Sequence, residues 1–117
     1  RIRGIPVLIG GTSYVPPLPI ETVVIERIDE IRSQDKEPIE IAIELCMYCM
    51  KTQVFKDGNK RASVIFANHY LIAQGMGFLV IPEKDVPEFK KLLVQYYEGE
   101  PLEVIGAFLK ERCWKNF

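Results

Sequence analysis

From Ile20 onward the apolar residues return at helical spacing. Val23, Val24, Ile28 and Ile31, with Arg27 among them, form a stripe against Glu21, Glu26, Asp29, Glu30 and Arg32, which predicts an amphipathic helix. Residues Ser33 to Glu37 are a polar break, and Pro38 suits the first turn of a second helix running from Ile39 to roughly Thr52. That stretch is apolar on most faces and is expected to lie at the centre of the core. After a loop over Gln53 to Asn59, the set Ala62, Ile65, Phe66, His69, Ile72 and Ala73 repeats at helical spacing until Gly75 and Gly77 stop it. A short extended piece is expected over Phe78 to Ile81, before Pro82. Val86 to Tyr97 and Leu102 to about Trp114 give two further helices, parted by Glu98, Gly99, Glu100 and Pro101.

The first 19 residues follow another rule. Ile5 to Ile9 is an apolar, β-branched run, followed by Gly10-Gly11-Thr12-Ser13 and Tyr14-Val15, so a hairpin over about 4–15 is the simplest reading. Pro16, Pro17 and Pro19 end it, because they donate no ladder hydrogen bonds and hold neighbouring backbone extended. The predicted fold is mainly α: about five helices in one domain over residues 1–117, carrying a β-hairpin at the N-terminal side. The first residue is Arg1 rather than Met, and the expectation is a fragment of a longer chain with a helix upstream.

Composition narrows the partners. The formal net charge is −1, with 26% charged and 48% hydrophobic residues, so no excess of basic charge marks a nucleic-acid surface or an anionic membrane as the main partner. The longest apolar run, Ile39 to Met50, is interrupted by Glu40 and Glu44 and falls short of a membrane span. Three cysteines and the lack of a secretory leader point to reduced thiols and a cytoplasmic location. Cys46 and Cys49 form a Cys-x-x-Cys pair, but with only Cys113 and His69 remaining as possible ligands they read as small core hydrophobes.

One segment asks for a chemical explanation. Gln53-Val-Phe-Lys-Asp-Gly-Asn-Lys-Arg61 places an Asp57-Gly58-Asn59 turn directly before two cations at a helix start. Backbone N–H groups and positive side chains then converge on one place, which is how proteins hold phosphate. Arg61 offers a planar fork for phosphate oxygens, Gly58 permits close backbone approach, and the Asp57 carboxylate suits Mg²⁺. A plain turn accounts for Asp57-Gly58-Asn59 alone, yet it requires neither Phe55 before it nor Lys60-Arg61 after it. Half of a calcium loop is also present, without the spaced carboxylates and closing Glu of an EF-hand.

Phe55, Asp57, Gly58, Asn59 and Arg61 fall on the motif His-x-Phe-x-Asp/Glu-Gly-Asn-Gly/Lys-Arg, and the chain resembles the Fic (Fic/Doc) family over nearly its whole length. The likeness includes Gly11-Thr12-x-Tyr14-x-Pro16-Pro17 upstream and Ala67-Asn68 downstream. It implies a transferase that binds ATP with Mg²⁺ and moves AMP onto a hydroxyl side chain of a protein target, or, as in Doc-type relatives, moves phosphate. Carried onto these residues, Asp57 would hold the metal, Gly58, Asn59 and Lys60 would line the nucleotide site, and Arg61 would clamp a phosphate. Gly11, Thr12 and Ser13 would lie in a flap that registers the target.

The chain departs from that pattern in three places. Gln53 stands where the motif has the histidine that accepts the target's proton; a carboxamide cannot do so near neutral pH, so the resemblance implies reduced or altered activity. Lys60 replaces the commoner glycine, as in Doc-type proteins. Val64 stands where a second arginine is frequent. A catalytically inactive module that binds nucleotide or a partner is the competing reading. The only histidine, His69, is expected to be packed or capped by a neighbour rather than catalytic. Tyr96, Tyr97, Phe108 and Trp114 read as core aromatics.

Overall fold

The computed structural model describes residues 4, 14–16, 18–54 and 59–115. Most of the expected hairpin, including Gly11, Thr12 and Ser13, and the loop residues Asp57 and Gly58 lie outside these. Five α-helices follow in chain order: α1 Glu21–Arg32, α2 Pro38–Thr52, α3 Asn59–Ala73, α4 Val86–Tyr97 and α5 Leu102–Phe108. The mainly α expectation holds.

Helix α2 is the hub. Pro38 occupies its first turn, where a missing N–H costs nothing, and Glu40 sits favourably against the positive end of the helix. Ile39, Ala42, Leu45, Met47 and Met50 are completely buried, so this helix is covered on nearly every side. Its most extensive neighbour is α3. A polar network ties it to α1: Glu44 accepts from Gln34 Nε2 at 2.9 Å and pairs with Arg27 at 3.4 Å and Lys36 at 3.5 Å.

Helix α3 buries a different stripe from the expected one. Ser63, Ala67 and Leu71 face the core, whereas Ile65 is 51% and Ile72 52% exposed, and His69 is exposed rather than packed. Small side chains at 63 and 67 let α3 lie against the already crowded surface of α2. The helix ends at Gly75, φ +71°, with Gly75 N–H donating to the Ile72 carbonyl at 2.9 Å and Met76 N–H to the Leu71 carbonyl at 3.1 Å. That reverse pair is the Schellman arrangement, in which the left-handed residue is ordinarily glycine.

The last predicted helix breaks in two. After α5, Leu109–Cys113 forms a π-turn, and Trp114–Lys115 becomes strand β2, antiparallel to β1 at Phe78–Leu79. Three contacts fasten this corner. Asn68 on α3 donates to the Leu79 carbonyl at 2.9 Å and accepts from its N–H at 2.6 Å, and the Trp114 indole donates to the Met76 carbonyl at 2.7 Å. Arg112 also pairs with the buried Asp85 at 3.0 Å, joining the π-turn to the 3-10 turn Glu83–Asp85 that leads into α4.

Cys46, Cys49 and Cys113 are free and buried in the apolar clusters. Burial raises all three thiols, Cys49 to about 12 and Cys113 to about 11, so they pack as small hydrophobes. Among the described residues, no helix is long and apolar enough to cross a membrane.

Candidate functional site

The site is the junction between the end of α2 and the start of α3. Helix α2 terminates like α3: Gln53 N–H donates to the Met50 carbonyl at 3.2 Å and Val54 N–H to the Cys49 carbonyl at 3.2 Å. The left-handed position is filled by Gln53, with φ 51° and ψ 52°, the only described non-glycine residue with positive φ. Such a backbone costs a non-glycine residue about 1–2 kcal/mol. Residues held this way concentrate at functional sites, where their surroundings over-determine them. Gln53 Nε2 donates to the Met50 carbonyl at 2.7 Å, and the following Val54 packs with Cys49 and Val24. The nitrogen at the motif-histidine position is therefore turned back onto its own helix.

Around Gln53 the fold assembles side chains that sequence reasoning did not connect. Lys51 Nζ lies 5.4 Å from the Tyr14 ring centroid and 5.0 Å from that of Tyr96, and it donates to the Tyr96 carbonyl at 3.5 Å. Tyr14 stacks on Tyr97 with centroids 6.0 Å apart and planes inclined by 24°. The residue near the end of the expected flap is thus fixed beside the α2 terminus by one cation and one aromatic ring. Tyr97 is only 3% exposed, and its hydroxyl makes no hydrogen bond of sound geometry among the described residues. Burial raises its pKa, with Cys46, Tyr14 and Tyr96 acting in the same direction and the nearby Gln53 side chain opposing, so it stays a neutral phenol. The adjacent Tyr96-Tyr97 pair was the only sequence signal for this cluster, and periodicity alone reads it as core.

Beyond the loop, α3 begins at Asn59, so Lys60 and Arg61 stand on its first turn. Both are exposed, and neither belongs to an ion pair among the described residues. Cations beside the N–H groups of a 15-residue helix start attract anions, phosphate above all. The donors in this turn, a carboxamide and two cations, fit phosphate oxygens and not a metal ion. No group of three or more His, Cys, Asp or Glu able to hold a metal occurs among the described residues. Asp57, the carboxylate expected to hold Mg²⁺, lies outside the described residues. His69 lies eight residues beyond Arg61, about 12 Å along the helix axis, and is remote from this turn.

Two comparisons complete the description. The sequence model of the Fic/DOC family matches residues 2–71, more than half of the chain. No curated protein matches it.

Proposed function

The chain belongs to the Fic/DOC family, and from that premise we propose that residues 53–61 bind ATP with Mg²⁺ and that AMP passes from ATP to a hydroxyl side chain of a protein, at a rate lowered by Gln53. The observation that carries the reading is the pair of exposed cations, Lys60 and Arg61, on the first turn of a helix whose preceding loop supplies Asp57 and Gly58.

In this reading the target's hydroxyl oxygen attacks the α-phosphorus, the bond from that phosphorus to the bridging oxygen breaks, and pyrophosphate leaves. Arg61 and Lys60 hold the phosphate oxygens and offset their charge, and Asn59 lines the pocket; such catalysis is mostly positioning and charge stabilisation. Asp57 provides the carboxylate for Mg²⁺, which when bound offsets negative charge on the phosphates. Gln53 orients the attacking hydroxyl by hydrogen bonding, and the proton departs to water because a carboxamide is no base near neutral pH. Gly11, Thr12 and Ser13 are the flap residues beside which the target segment would lie.

ATP labelled on the α-phosphate tests this. The wild-type protein is expected to transfer label slowly, and Gln53→His to raise the rate by about 10²–10⁴-fold. Arg61→Ala should weaken ATP binding by about ten- to a hundredfold in calorimetry, the range for a lost charged contact. If neither form binds nucleotide, the reading fails. A second reading, an inactive member acting through partner binding, draws support from the Gln53 nitrogen being committed to Met50; ATP binding without transfer in wild type would favour it. Transfer of γ-label instead of α-label would point to Doc-like phosphate transfer, for which Lys60 is the only feature.

A further inference from the structure

The apolar side chains that α3 turns away from the core form one wall of a groove. Val64 and Ile65 on α3 face Val80 and Ile81, which follow β1, with buried Phe89 of α4 at the base. The groove encloses about 310 Å³, at the lower end of the roughly 300–1,000 Å³ of small-ligand pockets, so it suits one or two side chains better than a whole nucleotide. Ile65 and Val80 are 51% and 45% exposed there.

The rim carries one sign of charge. Among the described residues, Lys60, Arg61 and Lys90 line the groove with no carboxylate beside them, and none of the three has an ion pair. The nearby Asp85 is already held by Arg112. This local cationic edge stands out in a chain whose net charge is −1. An apolar floor inside a cationic rim selects a ligand with the opposite arrangement: a large apolar side chain flanked by carboxylates.

We propose that this groove docks an acidic segment of a protein partner, seating an aliphatic or aromatic side chain between Ile65 and Val80 while a flanking Glu or Asp residue meets Lys90. That the partner is also the acceptor of AMP rests on the transfer reading above; the groove's preference for an acidic segment does not. Because Lys60 and Arg61 open the helix that follows the phosphate-binding loop, a docked segment would lie close to the nucleotide and raise the local concentration of its hydroxyls.

The test is fluorescence anisotropy with a short labelled peptide in which Glu residues surround a Leu-Phe pair, and with a matched peptide carrying Gln for Glu. The acidic peptide is expected to bind more tightly, and binding should weaken as salt rises. Lys90→Glu should weaken it about five- to tenfold while ATP binding measured by calorimetry stays unchanged, since Lys90 lies outside the loop. Ile65→Ser, at an exposed position that folding tolerates, should weaken both peptides. Equal binding of the two peptides, an unaltered affinity in Lys90→Glu, or displacement of the peptide by ATP would each overturn the proposal, the last by giving the groove to the nucleotide. Absence of AMP transfer with peptide binding intact would count against the transfer reading alone.

Discussion

Helices α2 and α3 end in the same hydrogen-bonded reversal, and they fill its left-handed position differently. At the end of α3 the position is Gly75, as it is again at Gly99 after α4, where Gly99 N–H donates to Tyr96 and Glu100 N–H to Gln95. At the end of α2 it is Gln53. Glycine adopts this backbone without steric cost, so the two glycine ends need no further explanation than chain reversal. The α2 end carries strain and has a side chain to show for it, held by the Met50 carbonyl beside the Tyr14, Lys51, Tyr96 and Tyr97 cluster. The difference separates an end that only turns the chain from one that also carries a polar side chain, at the position of the motif histidine.

The far end of α3 should therefore govern stability and leave the site alone, and the strongest probe is Asn68→Ala. It strips the Leu79 N–H and carbonyl of their side-chain partner in a place where Leu79 is 2% exposed, at an expected cost of about 2–4 kcal/mol in urea denaturation. ATP affinity of the folded protein should stay within error of wild type. A parallel loss of both would dissolve the distinction between the ends. Next comes Gly75→Gln, which puts the same residue at both termini. A Cβ at Gly75 meets nothing within 4 Å, so the loss of about 1–2 kcal/mol expected in thermal unfolding comes from the backbone dihedral alone.

The smallest change in stability is expected for Gln53→Gly. It relieves the strained dihedral and removes the Nε2 bond to Met50, opposing contributions of about 1 kcal/mol each, so the net shift should be under about 1 kcal/mol. Residual AMP transfer should nevertheless fall, since no side chain is left to orient the acceptor hydroxyl. Should Gln53→Gly destabilise as strongly as Gly75→Gln while transfer is untouched, Gln53 would be a structural cap and the contrast between the two ends would be one of packing.

Much of this was written locally. The α4 boundaries, Val86 to Tyr97, and the end of α2 at Thr52 follow from apolar spacing and from the turn residues around them. The end of α3 before Gly75 follows from glycine chemistry. So does the chemistry of the site: Asn59, Lys60 and Arg61 at a helix start are neighbours in the chain, and their convergence needs only a helix to begin where the turn ends. What local pattern does not contain is a choice among faces. Ala62, Ile65, Phe66, His69 and Ile72 satisfy helical spacing as well as Ser63, Ala67 and Leu71 do, and which set is buried is decided by how α3 packs against α2. The split of the last helix was equally invisible, because Trp114 and Lys115 leave helical geometry to pair with Phe78 and Leu79, more than thirty residues away.

The amino-acid order alone thus determined a helical chain and a phosphate-suited turn, since helix periodicity, glycine stops and adjacent charges act over a few residues. Tertiary packing decided that Gln53 would turn its nitrogen onto Met50, that Tyr14 and Tyr97 would stack beside it, and that Ile65 would face a groove instead of the core. Those outcomes depend on which surfaces meet across long stretches of sequence, and shape complementarity between distant segments has no local signature.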